Sequence, residues 1–271
     1  MAWATRLILN AGFMLAASLA SAAQDATPSC LRPGTARALV SLIDQNLELV
    51  LADGRRLQIA GVEVPRNRDL ADQARNALNQ WLVGSEVRVT TLSAQPDRWG
   101  RIAAHVHGGS AQGADVLAAF ALVDAGMARV RLHPEAVDCL PVLLKAEQVA
   151  RSSRAGLWGR PDSAVLNANR ASAWPQGSGE TVIVEGRVFS INATRNRTYI
   201  NFGPARNVDL AVTIPRQTVR LFAGQDLKSL RGKMVRVRGL LERRPGPQIE
   251  VAMPQAIESV KGRPVTTGRL P

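Results

Sequence analysis

Hydrophobic and polar positions alternate through the first third of the chain and then change period. Ala36 to Ile43 and Leu47 to Leu51 read as two β-strands, and Asp53-Gly54 is a turn signal before a third strand, Arg56 to Val64. From residue 68 to 83 the apolar positions Leu70, Ala74, Ala77, Leu78, Trp81 and Leu82 recur at helical spacing, and Gly84 ends the stripe. Glu86 to Leu92 and Ile102 to His107 return to strand character. Asp115 to Ala125 and Leu140 to Arg154 predict two more helices, the first ended by Gly126 and the second with Pro141 in its first turn. Five strands with three helices predict a small barrel buttressed by helices.

A second strand-rich stretch follows. Val182, Val184 and Val188 alternate with Ile183, Glu185, Arg187 and Phe189, and Thr198 to Phe202, Asp209 to Ile214, Met234 to Leu240 and Gln248 to Met253 continue the pattern. Arg243-Arg244-Pro245-Gly246-Pro247 makes a tight connection, and Asp226 to Leu230 is long enough for one helical turn. The strand count predicts a second small, partly open, β-barrel-like domain, OB-like in its number of strands. Residues 161–179, rich in Ala, Asn and Ser and ending in Trp174-Pro175 and Gly177-Ser178-Gly179, read as a linker with a helical turn around Val165–Asn169. The expected organisation is a first domain over 30–160, the linker 161–179, a basic β-rich domain over 180–260 and a disordered tail over 261–271.

The amino terminus changes the compartment. Arg6 precedes an uncharged, largely apolar run from Leu7 to Ala20, which closes on Ala20-Ser21-Ala22-Ala23. As a helix the run would span about 21 Å, short of the roughly 30 Å hydrocarbon core. Residues 1–22 therefore read as a cleaved signal peptide, cut after Ala22 or Ala23, with a retained anchor as the alternative, and the protein as periplasmic or secreted. Export places Cys30 and Cys139 under oxidising conditions, where a bridge between them is the economical pairing; two unrelated buried thiols are the alternative. Two cysteines are too few for a disulfide scaffold, and three histidines leave little material for a multi-histidine metal centre.

The composition is that of a folded protein, with 46% apolar and 21% charged residues. The formal charge is +12. It is lopsided, because residues 161–271 hold 17 Lys+Arg against 8 Asp+Glu. Val235-Arg236-Val237-Arg238-Gly239 puts two guanidiniums on one strand face, Arg243 and Arg244 follow on the next turn, and Arg195 and Arg197 precede Tyr199, the only tyrosine. Guanidiniums beside an aromatic can hold a single nucleic-acid strand by phosphate contact and base stacking. A solvated basic face is the alternative, and the same charge attracts anionic lipid headgroups and other polyanions. His105 and His107 share one strand face without a third ligand at a metal-binding spacing, and are expected to be solvated at a strand end.

Five segments resemble the staphylococcal nuclease (thermonuclease) family in its order: Leu42 to Asn46, Ala52 to Pro65, Asp97-Arg98-Trp99-Gly100-Arg101, Ala121 to Ala128, and Gly156-Leu157-Trp158. The strand-rich carboxyl-terminal part is similar to the extension carried by some bacterial members. The resemblance implies a β-rich α+β chain, with an OB-type five-stranded barrel and three helices ahead of the second barrel. It also implies Ca²⁺, or another divalent cation, and cleavage of DNA and RNA. Carried over position by position, the second metal acid falls on Glu63 and the carbonyl ligand on Val64. The water-activating acid falls on Arg66, which reverses its charge. The first catalytic arginine falls on Gln58, and the second is kept as Arg101. The first metal aspartate falls on Asn46 or Leu47, with Asp44 able to enter only by a register change. Removing one preorganised transition-state donor costs about 2.7–4 kcal/mol, or roughly 10²–10³ in rate. The expectation is an exported thermonuclease-like protein that binds nucleic acid, with hydrolysis weak or lost. The alternatives are an active metal-dependent nuclease whose site is regrouped around Asp44, Glu48 and Glu63, and an envelope protein that binds an anionic surface or a protein partner.

Overall fold

A computed structural model of the chain describes residues 28–65, 67–110, 113–174, 180–243 and 245–260. The signal-peptide reading and the tail after residue 260 lie outside the described residues, as do Arg66 and Arg244.

The first module is a closed five-stranded barrel. Strand β1 (Ala36–Ile43) pairs with β2 (Leu49–Leu51), β2 with β3 (Arg56–Ile59), and β3 runs parallel to β6 (Arg101–Gly109). Strand β5 (Glu86–Thr91) joins β6 back to β1. The long first strand serves two neighbours because its register shifts between Val40 and Leu42, an irregularity that bends it from one sheet edge to the other. Two short strands, β4 (Val62–Glu63) and β8 (Arg129–Val130), form a separate ribbon, and β7 (Asp115–Leu117) adds to β6. The run expected as one strand from Arg56 to Val64 is thus two strands, broken at Gly61, whose φ is +83°. Residues 115–117, expected in a helix, are strand.

Helix α1 (Arg68–Leu82) starts where the Asn67 side chain accepts a hydrogen bond from the Leu70 backbone, and it buries Leu70, Ala74, Leu78 and Leu82. Gly84 follows at φ +76°, in the left-handed region that ends helices. Helices α2 (Ala118–Asp124) and α3 (Leu140–Ser152) pack on each other and on the barrel. Leu49, Leu57, Val87, Ala104 and Val106 fill the interior. Cys30 and Cys139 form a disulfide, with Cα atoms 5.7 Å apart.

His105 and His107 point away from Ala104 and Val106, yet they are buried rather than solvated, with 3% and 1% exposure. Neither ring nitrogen of His105 has a hydrogen-bond partner among the described residues, and the His107 ring has the Cys30 backbone beside it. Burial holds both imidazoles below the ordinary histidine value; Asp138 pulls the other way on His105, and the Cys30 backbone and Asp115 on His107. The unfolded chain takes up protons near pH 6.5, where the folded histidines resist them. Their contribution is therefore complete above that pH and is lost as pH falls below it. Urea unfolding free energy is expected to drop between pH 7 and 5, and the His105→Gln/His107→Gln double variant to show a flatter slope over that interval.

The second module repeats the strand order of the first. Strand β10 (Glu180–Arg187) pairs along its whole length with β14 (Met234–Glu242). After a bend at Val188 and Phe189 the chain continues as β11 (Ser190–Ala193), which pairs with β12 (Arg197–Asn201). Strand β13 (Ala211–Pro215) follows β12, runs parallel to β15 (Gln248–Glu250), and β15 returns to β14. With β10 and β11 as two halves of one bent strand, the order closes on itself as it does in the first barrel. The short helix α4 (Arg216–Val219) falls where α1 does, between the third and fourth strands. Strand β16 (Ile257–Ser259) adds to β14.

The stretch read as a linker is built into this module. Strand β9 (Leu166–Asn167) runs parallel to β10, and a 3-10 segment, Ala168–Ala173, follows where a helical turn was expected a few residues earlier. Ala168, Ala171 and Trp174 are buried in the second core, and the Trp174 indole donates to the Asn167 carbonyl at 3.0 Å. Among the described residues no helix is long and apolar enough to cross a membrane.

Candidate functional site

One end of the first barrel gathers acids and arginines. Register places Arg56 of β3 directly beside Arg101 of β6. The Glu48 carboxylate lies between them, accepting from Arg56 Nη2 at 2.7 Å and from Arg101 Nη1 at 3.0 Å, and Glu48 itself is 2% exposed. Asp44 closes the preceding turn. Its Oδ1 accepts from the backbone N–H groups of Asn46 and Glu48, and its Oδ2 from Arg56 at 2.6 Å. Leu47 completes this turn at φ +60°, an unusual conformation for a branched side chain, held by burial of that side chain in the core.

Arg101 leaves the Asp97–Arg101 turn with every donor group engaged. Its Nε and Nη2 meet Asp97 Oδ2 at 2.9 and 2.7 Å, while Nη1 meets Glu48. The Arg101 hydrogen bonds hold the Asp97 carboxyl at about 2 and raise the guanidinium in return. Trp99, 58% exposed, sits at the tip with Arg98 and Arg101 over its ring at 4.0 and 4.6 Å. In this cluster three carboxylates meet two guanidiniums.

The cation implied by the resemblance does not fit this donor set. Asp44 and Glu48 are committed to arginine, and Asn46 brings no carboxylate. Glu63 sits on β4 opposite Arg129, one carboxyl oxygen buried without a hydrogen-bond partner among the described residues, and Val64 follows it, packed on the barrel core. Among the described residues no group of three His, Cys, Asp or Glu side chains is placed to hold a metal ion. Gln58 lies two residues beyond Arg56, on the same face of β3. The sequence reading missed Arg56. The signal was there: a hairpin turning at Asp53-Gly54 pairs Val50 with Arg56, which carries Arg56 to the acids flanking the preceding turn.

The basic residues of the second module separate into two groups. Arg236 and Arg238 do share a face of β14, but that face is covered and cannot meet a polyanion. Arg236 binds Glu185 through Nε at 2.6 Å and Glu258 through Nη1 at 3.3 Å. Arg238, 3% exposed, reaches across to helix α3, where Nη2 meets Glu147 Oε2 at 2.6 Å, and to the Val130 carbonyl at 3.2 Å. The alternation correctly indicated one face. The acids that claim it come from distant segments, which a strand pattern does not disclose. Arg243 lies half-buried just past β14.

Arg195, Arg197 and Tyr199 are together on the opposite side of the module. Arg197, Tyr199 and Asn201 face outward from β12 in alternation with Thr198 and Ile200. Arg197 pairs with Glu250 at 3.1 Å, with both side chains more than two-fifths exposed. The Arg195 carbonyl accepts from Arg216 at 3.4 Å. Around them are two adjoining hollows. One, of about 730 Å³, holds Arg197, Arg216 and Arg220; the other, of about 640 Å³, holds Phe189, Tyr199, Asn192 and Arg206. Arg206, Arg216 and Arg220 were absent from the sequence reading because each stands alone in a loop or short helix.

These features define a chain of two OB-order barrels, the first buttressed by three helices. The family model described as "Staphylococcal nuclease homologue" matches residues 56–160, and that stretch is a domain of the staphylococcal nuclease family. No curated protein matches the chain. The solved structures it resembles include the extended Tudor domain of Tudor-SN (p100) from Drosophila melanogaster, at 15% identity and a TM-score of 0.33, covering 38% of this chain and 46% of that one. The chain thus spans less than half of that structure.

Proposed function

We propose that this protein is an exported nucleic-acid-binding protein of nuclease ancestry in which phosphodiester hydrolysis is weak or lost. The observation that carries the reading is Glu48 held between Arg56 and Arg101. Hydrolysis of this type needs hard carboxylate oxygens free for a cation and guanidiniums free for the charge developing on phosphorus. Here the carboxylates and guanidiniums neutralise one another. Any phosphate entering must first displace Glu48 and Asp97, so gripping a polyanion falls to the second module, where the net positive charge is concentrated. The Cys30–Cys139 disulfide supports export, since such bridges persist in oxidising compartments.

The test is a cleavage panel on single-stranded DNA, duplex DNA and RNA with Ca²⁺, Mg²⁺, Mn²⁺ and Zn²⁺ in turn. The expected result is no chelator-sensitive product with any of them. Divalent-dependent cleavage that Glu63→Ala abolishes would establish the active alternative instead.

A further inference from the structure

In the second module the outward face of β11, β12, β13 and β15 is a continuous ribbon. Register aligns Asn192, Tyr199, Thr213 and Glu250 across the four strands, and Ser190, Asn201, Ala211 and Gln248 in the next row. Side chains on one strand face recur every 6.4–6.8 Å or so, which sets the spacing along this surface. The two hollows divide the ribbon by chemistry. At one end Arg197, Arg216 and Arg220 converge with Glu250 as the acid among them. At the other, Tyr199 and Phe189 bring aromatic surface, and Phe189 is 51% exposed although it is large and apolar.

Amides and hydroxyls lie between and around the rings. Asn201 donates to the Ser190 hydroxyl at 3.1 Å, leaving its carbonyl oxygen directed elsewhere, and Asn192 is exposed beside Tyr199. Within that row, Thr213 is itself only 1% exposed, and its hydroxyl has no hydrogen-bond partner among the described residues. The surface also lies where OB-type barrels present strands two and three, flanked by the turn before β12 and the connection between β14 and β15.

We propose that this ribbon is a binding site for single-stranded nucleic acid, with phosphates held at Arg197, Arg216 and Arg220 and unstacked bases laid on Tyr199 and Phe189. The inference rests on the nucleic-acid reading above and narrows it to one site and one strand state. Charge complementarity identifies the occupant's backbone. The exposed rings identify its bases, because a ring stacks only on a base freed from its duplex neighbours. Asn192 and Asn201 supply donors and acceptors for base edges. A sulfated polysaccharide would satisfy the arginines but brings no aromatic base to stack on the two rings.

The experiment is fluorescence anisotropy of the full chain with a labelled 12-nucleotide single strand and the matching 12-base-pair duplex, each over a salt series. The single strand is expected to bind more tightly. Tyr199→Ala should weaken it about 5- to 150-fold, from a stacking contribution of about 1–3 kcal/mol per base, while Tyr199→Phe retains most of the affinity. Arg216→Ala and Arg220→Ala should each reduce the slope of log affinity against log salt by about 0.7. Unchanged thermal midpoints establish that the variants are folded. Three results overturn the site. One is equal or tighter binding of the duplex; another is single-strand affinity indifferent to Tyr199→Ala. The third is a heparin-type polysaccharide bound where oligonucleotides fail to compete. The first two leave the broader nucleic-acid reading standing; absence of binding to either oligonucleotide at low salt removes that as well.

Discussion

Replacing Arg238 with Met is expected to lower the unfolding free energy by about 3–5 kcal/mol, because it strands a buried carboxylate. Glu147 on α3 is fully buried, and two arginines reach it, Arg238 from the second module at 2.6 Å and Arg151 from its own helix at 2.6 Å. Its other oxygen accepts from the Val130 backbone at 2.8 Å. Burial by itself would push this carboxyl up, but Arg238 and Arg151 with their hydrogen bonds hold it below the usual carboxylate range. The stabilisation is therefore complete above the ordinary glutamate value near 4.3 and disappears only as pH falls through the lower folded value. Thermal unfolding should show Arg238→Met and Glu147→Leu each lowering the midpoint by about 6–20 °C. The double variant should recover much of that loss, since it removes both charges from the interface and leaves Glu258 within electrostatic reach of Arg151. Single variants as stable as wild type would mean that the two barrels are not joined through this pair.

Removing the disulfide is the second large change. Cys30 and Cys139 are 109 residues apart, and closing a loop of about that length is worth up to about 4.7 kcal/mol in the chain-entropy account. Its position adds to the effect. The bridge ties the 3-10 turn Ser29–Leu31 to the segment leading into α3, where Ser29 also hydrogen-bonds Asp138. Cys30 is itself part of the core, and its backbone lies beside His107. Cys30→Ser/Cys139→Ser is expected to unfold at urea concentrations well below wild type, and dithiothreitol to reproduce that shift in wild-type protein. No response to reductant would contradict the pairing as a source of stability.

The fold was legible wherever period and burial coincide. The stripe at Leu70, Ala74, Leu78 and Leu82 marks α1 almost to the residue, and the alternation around Val182 and Val184 marks β10. It failed where one segment serves two partners. Arg56 to Val64 looks continuous because it is apolar throughout, yet Gly61 turns it from the barrel into a separate ribbon. The segment at 161–174 has linker composition, but small alanines are also what a close approach to β10 requires. The candidate site was legible one position at a time, since the resemblance pointed to Arg101, which stands in the cluster of acids and arginines. The pairing of Arg101 with Glu48 was not legible, because it depends on strand register between segments about 50 residues apart. For the same reason Arg236 and Arg238 looked like a nucleic-acid face: Glu147, which claims Arg238, lies 91 residues away.

The central claim is binding without breakage, and one cuvette can test it. A single-stranded oligonucleotide labelled at one end is mixed with the full chain in Ca²⁺-containing buffer, and its anisotropy is followed for hours before chelator is added. The anisotropy should rise on mixing, hold level throughout and stay level after chelation. A rise followed by steady decay that chelator arrests would mean that the strand is being cut, and the claim would be wrong.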